Sequence, residues 1–330
     1  MNSGFSAAWW LPGAHLQTLA GKFLRRARVQ PTTLDRLDTP DGDFLDIHRL
    51  DGPSGAPLLI LLHGLEGGLH SHYIQGLLGQ AKDRGWNAAV LVFRSCGSEM
   101  NRVRRFYHSG ETTDLAFAIE HLARIHPQSL IGLAGASLGG NVLLKFLGEQ
   151  GSALNPRIKG AVAISVPFDL SRSSRHIDRG FAKVYQRHFL RSLRRKALSK
   201  LDRFPDLFEA GKLSRARTMY DFDDSFTAPV HGFAGAADYY SRSSSLGYLE
   251  SISINTLLLS AVDDPFLPAD VLDEVESKAA ANPALVVEFA AHGGHVGFVA
   301  GPNPFRPVYY LEKRTGDFLA RQLENAAADH

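Results

Sequence analysis

Only one cysteine, Cys96, stands in 330 residues. That excludes an intramolecular disulfide, and one thiol cannot build a cysteine-rich zinc site. The usage suits a reducing compartment. Long hydrophobic runs are also missing, since no segment reaches the roughly 20 apolar residues that span a bilayer. No basic residue precedes Lys22, and Pro12 and His15 interrupt the only early apolar stretch, so the start does not read as a secretory leader. The expectation is a cytoplasmic protein. Repeats and low-complexity tracts are absent. Neither G-x-x-x-x-G-K-[ST] nor G-x-G-x-x-G occurs, which sets aside the common phosphate-cradling loops.

Net charge is small at +2, yet it is unevenly spread. Residues 171–203 hold eleven Lys or Arg against Asp178 and Asp202, a net of +9 that leaves −7 elsewhere. A solvated helical face is the plain explanation. The sharper expectation is weak peripheral contact with an anionic membrane surface. No nucleic-acid motif accompanies the run, so nucleic acid is not expected as a partner.

What is present is an ordinary globular composition, 44% hydrophobic and 21% charged, in a chain long enough to bury a large core. A single domain over 1–330 is expected. Short apolar runs at 58–62, 88–93, 130–134, 158–165, 256–261 and 285–289 read as strands. Their near-continuous apolar character predicts burial on both faces, as in a parallel sheet covered by helices. Helix-like stretches lie between and after them at 72–84, 112–125, 138–149, 269–280 and 307–325. The alternation predicts an α/β layer fold. The long basic segment at about 167–250 breaks the rhythm and reads as a helical cap insertion. Phe181, Val184, Tyr185, Phe189 and Leu190 are expected to form its inward apolar face.

The chemistry centres on Gly135-Ala136-Ser137-Leu138-Gly139, a G-x-S-x-G pattern between a strand and a helix. That context suits a strained turn that exposes a serine hydroxyl. A serine needs a base in reach and an acid to orient the base. Two later loops supply both, in the order Ser, Asp, His of the α/β-hydrolases. Strand 256–261 runs into Asp263-Asp264-Pro265-Phe266, and strand 285–289 into His292-Gly293-Gly294-His295. Asp264 and His295 are favoured over Asp263 and His292. The loop His63-Gly64-Leu65-Glu66-Gly67-Gly68 can aim backbone N–H groups at a developing oxyanion. The backbone N–H groups of Leu65 and Leu138 are assigned as oxyanion-hole donors. No metal or other cofactor is implied. His70 and His72 lack partners for a metal site, and Cys96, although near Arg94, lacks the partners of a nucleophile. Asp221, Asp223 and Asp224 read as a solvated turn or as partners for the basic segment.

The chain resembles the YheT-like branch of the α/β-hydrolases, relatives of abhydrolase-domain lipases and medium-chain ethyl ester synthases. The marks are Trp10-Leu11-Pro12-Gly13-Ala14-His15-Leu16-Gln17-Thr18, His63 to Gly67, Tyr107-His108-Ser109-Gly110-Glu111-Thr112, the serine turn, Asp263 to Phe266, and His292 to Phe298. Tyr185-Gln186-Arg187 and Phe222-Asp223-Asp224 also fit. One departure is Arg94-Ser95-Cys96-Gly97-Ser98, where relatives usually read Arg-Gly-Cys-Ser-Gly. The resemblance implies a catalytic triad of Ser137, Asp264 and His295. It also implies a small-molecule acyl ester substrate of short to medium chain. The alternatives are an acyltransferase that uses an alcohol in place of water and a catalytically idle binding protein on the same fold. The intact Ser–Asp–His order argues against the last.

Overall fold

The computed structural model describes residues 4–23, 25 and 29–328. In chain order the elements are α1 (Ala14–Phe23), β1 (Thr33–Asp38), β2 (Phe44–Leu50), β3 (Leu58–Leu62), α2 (His72–Asp83), β4 (Asn87–Val92) and α3 (Thr113–Ile125). Next come β5 (Ile131–Ala136), α4 (Leu138–Gln150) and β6 (Ile158–Ile164). A helical segment follows, with α5 (Leu170–Ile177), α6 (Ala182–Ser199), α7 (Ala210–Arg215), α8 (Met219–Phe222), α9 (Ala228–His231) and α10 (Ala236–Ser243). The chain then forms β7 (Thr256–Ala261), α11 (Asp270–Ala281), β8 (Leu285–Ala290), β9 (Val299–Ala300), β10 (Val308–Tyr309) and α12 (Tyr310–Ala328).

Residues of β3 alternate between two cores, as the period of a strand requires. Leu58, Ile60 and Leu62 enter one core with Leu91, Leu133 and Leu258. Leu59 and Leu61 enter the other with Val90, Val162 and Leu259. Helices α3, α4 and α11 cover the first face, and α2 and α12 the second. The apolar runs are therefore continuous because both faces are buried. Removing one of these leucines to alanine costs about 2–5 kcal/mol in such cores.

The main sheet has eight strands in the order β1-β2-β4-β3-β5-β6-β7-β8. From β4 to β8 all neighbours are parallel, while β1–β2 and β2–β4 are antiparallel. Parallel strands bring their C-terminal ends to one edge, where the loops after β3, β5, β7 and β8 meet. The six strands expected from sequence are present, with ends shifted by at most two residues. The edge strand β1, β2 and helix α1 lie outside that expectation.

Helix α6 buries Ala182, Gln186, Leu190, Leu193 and Ala197 on one face. Its outer face exposes Lys183, Arg187, His188, Arg191, Arg195 and Leu198. The expected inward apolar face needs correction. Phe181 is 55% exposed and Val184 52%, whereas Tyr185, Phe189 and Leu190 turn inward or lie partly covered. Positions 181 and 184 share the outer stripe with Lys183 and Arg187, because i, i+3 and i+4 neighbours lie together. Among the described residues no helix is long and apolar enough to cross a membrane.

Candidate active site

Ser137 sits between β5 and α4 with φ 54° and ψ −122°, a conformation costly for a residue with a side chain. Its neighbours make the turn fit. A Cβ on Gly135 would meet the Gly139 carbonyl, and one on Gly139 would lie 2.8 Å from the Leu62 carbonyl oxygen. A Cβ on Gly140 would come within 2.7 Å of a Val166 methyl. Only glycine lets strand, turn and helix approach this closely. The Ser137 N–H donates to the Ile164 carbonyl at 2.8 Å, which pins the turn to β6.

The loops after β7 and β8 close on this serine. His295 Nε2 lies 3.0 Å from Ser137 Oγ, and His295 Nδ1 lies 2.8 Å from Asp264 Oδ2. A carboxylate at Nδ1 holds the proton on that nitrogen, so Nε2 presents its lone pair to the serine hydroxyl. Asp264 is buried, and its other oxygen accepts the Phe266 N–H at 2.8 Å. The Phe266 ring stacks on the imidazole at 4.2 Å between centroids and fixes its plane. His292 instead reaches solvent, with 69% of its side chain exposed, and pairs with Asp263 at 3.2 Å. Asp263 Oδ1 accepts the N–H groups of Gly293 and Gly294, both at 2.9 Å, and so shapes the loop that carries His295.

Sequence reasoning missed several supports of this loop. Thr18 of α1 accepts the His295 N–H on its hydroxyl at 2.9 Å. Ser165 accepts the Val296 N–H at 3.1 Å, where Val296 and Phe298 both take positive φ. Gly294, at φ 60°, lies so close to α1 that a Cβ there would overlap the Ala14 carbonyl. The run Ala14 to Thr18 was visible as a sequence mark, but nothing in its pattern tied it to a histidine far along the chain.

The loop after β3 supplies the remaining wall. A Cβ on Gly64 would lie 3.2 Å from Ser137 Cβ, so glycine permits the approach of loop to serine. Leu65 and Leu138 line the same cavity as Ser137 and His295. Among the described residues neither the Leu65 nor the Leu138 N–H donates to a backbone or side-chain acceptor. His63 is fully buried, accepts the Phe93 N–H on Nε2, and is pushed down to about 4 by burial, so it stays neutral and structural. The cavity holds about 960 Å³, with Leu170, Ile177, Phe189, Leu193 and Phe222 among its apolar walls. That is at the upper end of ordinary small-molecule sites, roughly 300–1,000 Å³.

Other candidates resolve differently. Arg94 is engaged by Asp43 and Asp114, at 2.5 and 2.7 Å, rather than by Cys96. Burial pushes the Cys96 thiol up to about 12, so it is no thiolate at neutral pH. His72 is pushed down to about 4, chiefly by burial. Among the described residues no group of three or more His, Cys, Asp or Glu could hold a metal ion. The acidic cluster is not uniformly solvated. Asp221 forms a capping box with Thr218, and Asp224 pairs with Lys212 at 2.6 Å. Asp223 is buried against the Thr227 and Tyr240 hydroxyls, at 2.6 and 2.7 Å, and burial raises its carboxyl to about 6.

Comparison with known proteins agrees with this architecture. A family model described as the alpha/beta hydrolase fold matches residues 57–302. The protein YheT of Escherichia coli (strain K12) is 38% identical over 98% of this chain and 96% of its own length. Phospholipase ABHD3 of Mus musculus is 26% identical over 96% of this chain and 78% of its own length. Monoacylglycerol lipase of Saccharomyces cerevisiae is 29% identical over 77% of this chain and 57% of its own length. Among solved structures, an esterase of Pyrococcus furiosus superposes with TM-score 0.58 at 19% identity, covering 89% of this chain and 91% of its own. That likeness concerns the fold.

Proposed function

The chain belongs to the α/β-hydrolase family, in its YheT-like branch, and from that premise we propose that it is a serine carboxylic ester hydrolase acting through Ser137, His295 and Asp264. One observation carries the reading: the hydrogen-bonded series Ser137 Oγ, His295 Nε2, His295 Nδ1, Asp264 Oδ2 at the wall of a large cavity. The names of the yeast and mouse relatives, a monoacylglycerol lipase and a phospholipase, support an acyl ester as substrate class. The apolar lining of the cavity supports an acyl chain, and the short to medium length rests on the family resemblance.

In this reading His295 Nε2 takes the Ser137 proton as Oγ attacks the ester carbonyl. The N–H groups of Leu65 and Leu138 hold the oxyanion. The tetrahedral intermediate collapses, the alkoxide leaves with the proton from His295, and an acyl-serine remains. Water then gives a proton to His295, attacks the acyl carbon, and the acid departs as Ser137 regains its proton. Asp264 keeps the imidazole in its productive tautomer and stabilises its charged form. The segment from α5 to α10, at about 167–250, acts as the cap over this site. Its exposed basic stripe on α6 suits weak contact with anionic lipid.

The test is hydrolysis of p-nitrophenyl esters from two to sixteen carbons by wild type and Ser137→Ala. Turnover peaking at short to medium chains and lost in the variant supports the proposal. Equal turnover by both proteins rejects it.

A further inference from the structure

Glu66 follows Leu65 directly and takes φ 54°, a left-handed backbone that side chains disfavour. It is held there from three sides. Its N–H donates to the Tyr107 hydroxyl at 3.1 Å, and that hydroxyl donates back to Glu66 Oε1 at 2.8 Å. Lys196 Nζ of α6 donates to Oε1 at 2.9 Å, and the Ser192 hydroxyl, one turn earlier on α6, donates to Oε2. The pair is largely removed from water, with 8% of the Glu66 side chain and 18% of the Lys196 side chain exposed. Tyr107 is fixed in turn by a parallel stack on Phe93, 5.8 Å between centroids and 7° between planes. Burial raises the Tyr107 phenol well above its ordinary range, so it stays a donor. Burying an ion pair is costly, and an apolar contact would pack the same space at less expense in solvation. What the charged pair adds is direction: it fixes a loop in three dimensions against a helix from another part of the chain.

We propose that Glu66 is a positioning residue that clamps the Leu65 loop to helix α6, so that the Leu65 N–H keeps its place only while α6 is seated. The proposal rests on the reading of Leu65 as an oxyanion donor. It makes the segment above the cavity part of the catalytic geometry as well as its cover. Losing one partner of the clamp shifts the donor and weakens transition-state binding, while the buried Leu190, Leu193 and Ala197 keep α6 packed and the acyl pocket in place. The loss therefore falls on kcat, with KM nearly constant.

The experiment measures kcat and KM for Glu66→Gln, Lys196→Met, Ser192→Ala and Lys196→Arg, with paired oxo- and thiono-esters of one alcohol. A hole built for oxygen favours the oxo-ester, so the oxo/thiono rate ratio reports the hole itself. Glu66→Gln and Lys196→Met are expected to lower kcat by roughly tenfold to a hundredfold, with KM within about twofold. The ratio is expected to fall with kcat, and Lys196→Arg to recover most of both. Thermal melts accompany each variant. If Glu66→Gln does not fold, Lys196→Met and Ser192→Ala decide, since both leave the loop's own sequence unchanged. A kcat loss at constant oxo/thiono ratio marks a merely structural pair and overturns the clamp, as does unchanged kcat in folded variants. A wild type indifferent to oxygen or sulfur instead fails the parent assignment of the hole, and turnover by Ser137→Ala fails the triad.

Discussion

Asp263 and Asp264 are adjacent in sequence and serve different histidines: Asp264 Oδ2 meets His295 Nδ1 at 2.8 Å, while Asp263 meets the exposed His292 at 3.2 Å. The two carboxylates therefore divide the loop after β8 between orientation of a ring and support of a backbone.

Asp264→Asn is expected to lower kcat on the order of 10³-fold or more by disfavouring the tautomer that leaves Nε2 free. His295→Ala is expected to lose a comparable factor, because members of a catalytic triad such as the one proposed act as a unit. Asp263→Asn retains an oxygen for the Gly293 and Gly294 N–H groups, so its loss is expected to stay under about tenfold. His292→Ala is expected to be near wild type. Steady-state kinetics on the purified, folded variants check the ranking, and a more damaging Asp263→Asn reverses it.

Gly294→Ala probes the seat of the histidine loop on α1. The left-handed backbone alone costs about 1–3 kcal/mol with a side chain, and the new Cβ meets the Ala14 carbonyl. A lower melting temperature is expected, with kcat reduced in any folded fraction, because His295 N–H loses its register with Thr18. A variant that melts like wild type contradicts the close approach.

Asp223 gives a pH prediction with a definite sign. Its folded carboxyl lies at about 6, above the unfolded value of 3.8, so the folded state binds the proton more tightly. This group favours folding below the unfolded value and loses that contribution as pH rises through about 6, a change on the order of 3 kcal/mol. Asp223→Asn removes the titration. Denaturant unfolding at pH 4.5 and 7.5 is expected to show a smaller loss of stability with rising pH in the variant. Identical pH dependence in both proteins rules the effect out.

The outer stripe of α6 predicts binding to vesicles containing anionic lipid at low salt, weakening as the Debye length shortens to about 8 Å at physiological ionic strength. Arg187, Arg191 and Arg195 are exposed, whereas Arg194 bonds to the carbonyls of Ser214 and Ala216. Replacing the first three with alanine is expected to abolish co-sedimentation while ester turnover in solution persists. Equal binding to neutral vesicles argues against an electrostatic origin.

The parts legible in the sequence were those with local signatures. Doubly buried strands announce themselves as apolar runs, and the serine turn needs its glycines beside it. The hairpin β1–β2 hid because edge strands carry charge: Asp35, Arg36 and Asp38 lie in β1, and the buried Asp46 of β2 is paired with Arg36 at 2.8 Å. Helix α1 is short and has no acidic residue in its first turn. The orientation of Phe181 and Val184 was missed because composition gives an apolar face but not its side. The Glu66–Lys196 pair joins residues 130 apart, which no local pattern encodes.

The bond from His295 N–H to Thr18 spans 277 residues of chain. During synthesis the platform is made early and the ring it holds is made long after. A chain extended only through Ser137 carries the proposed nucleophile without His295, the base proposed for it. With the proposed triad, ester turnover is therefore expected only after the late loop that carries His295 docks onto the early helix α1.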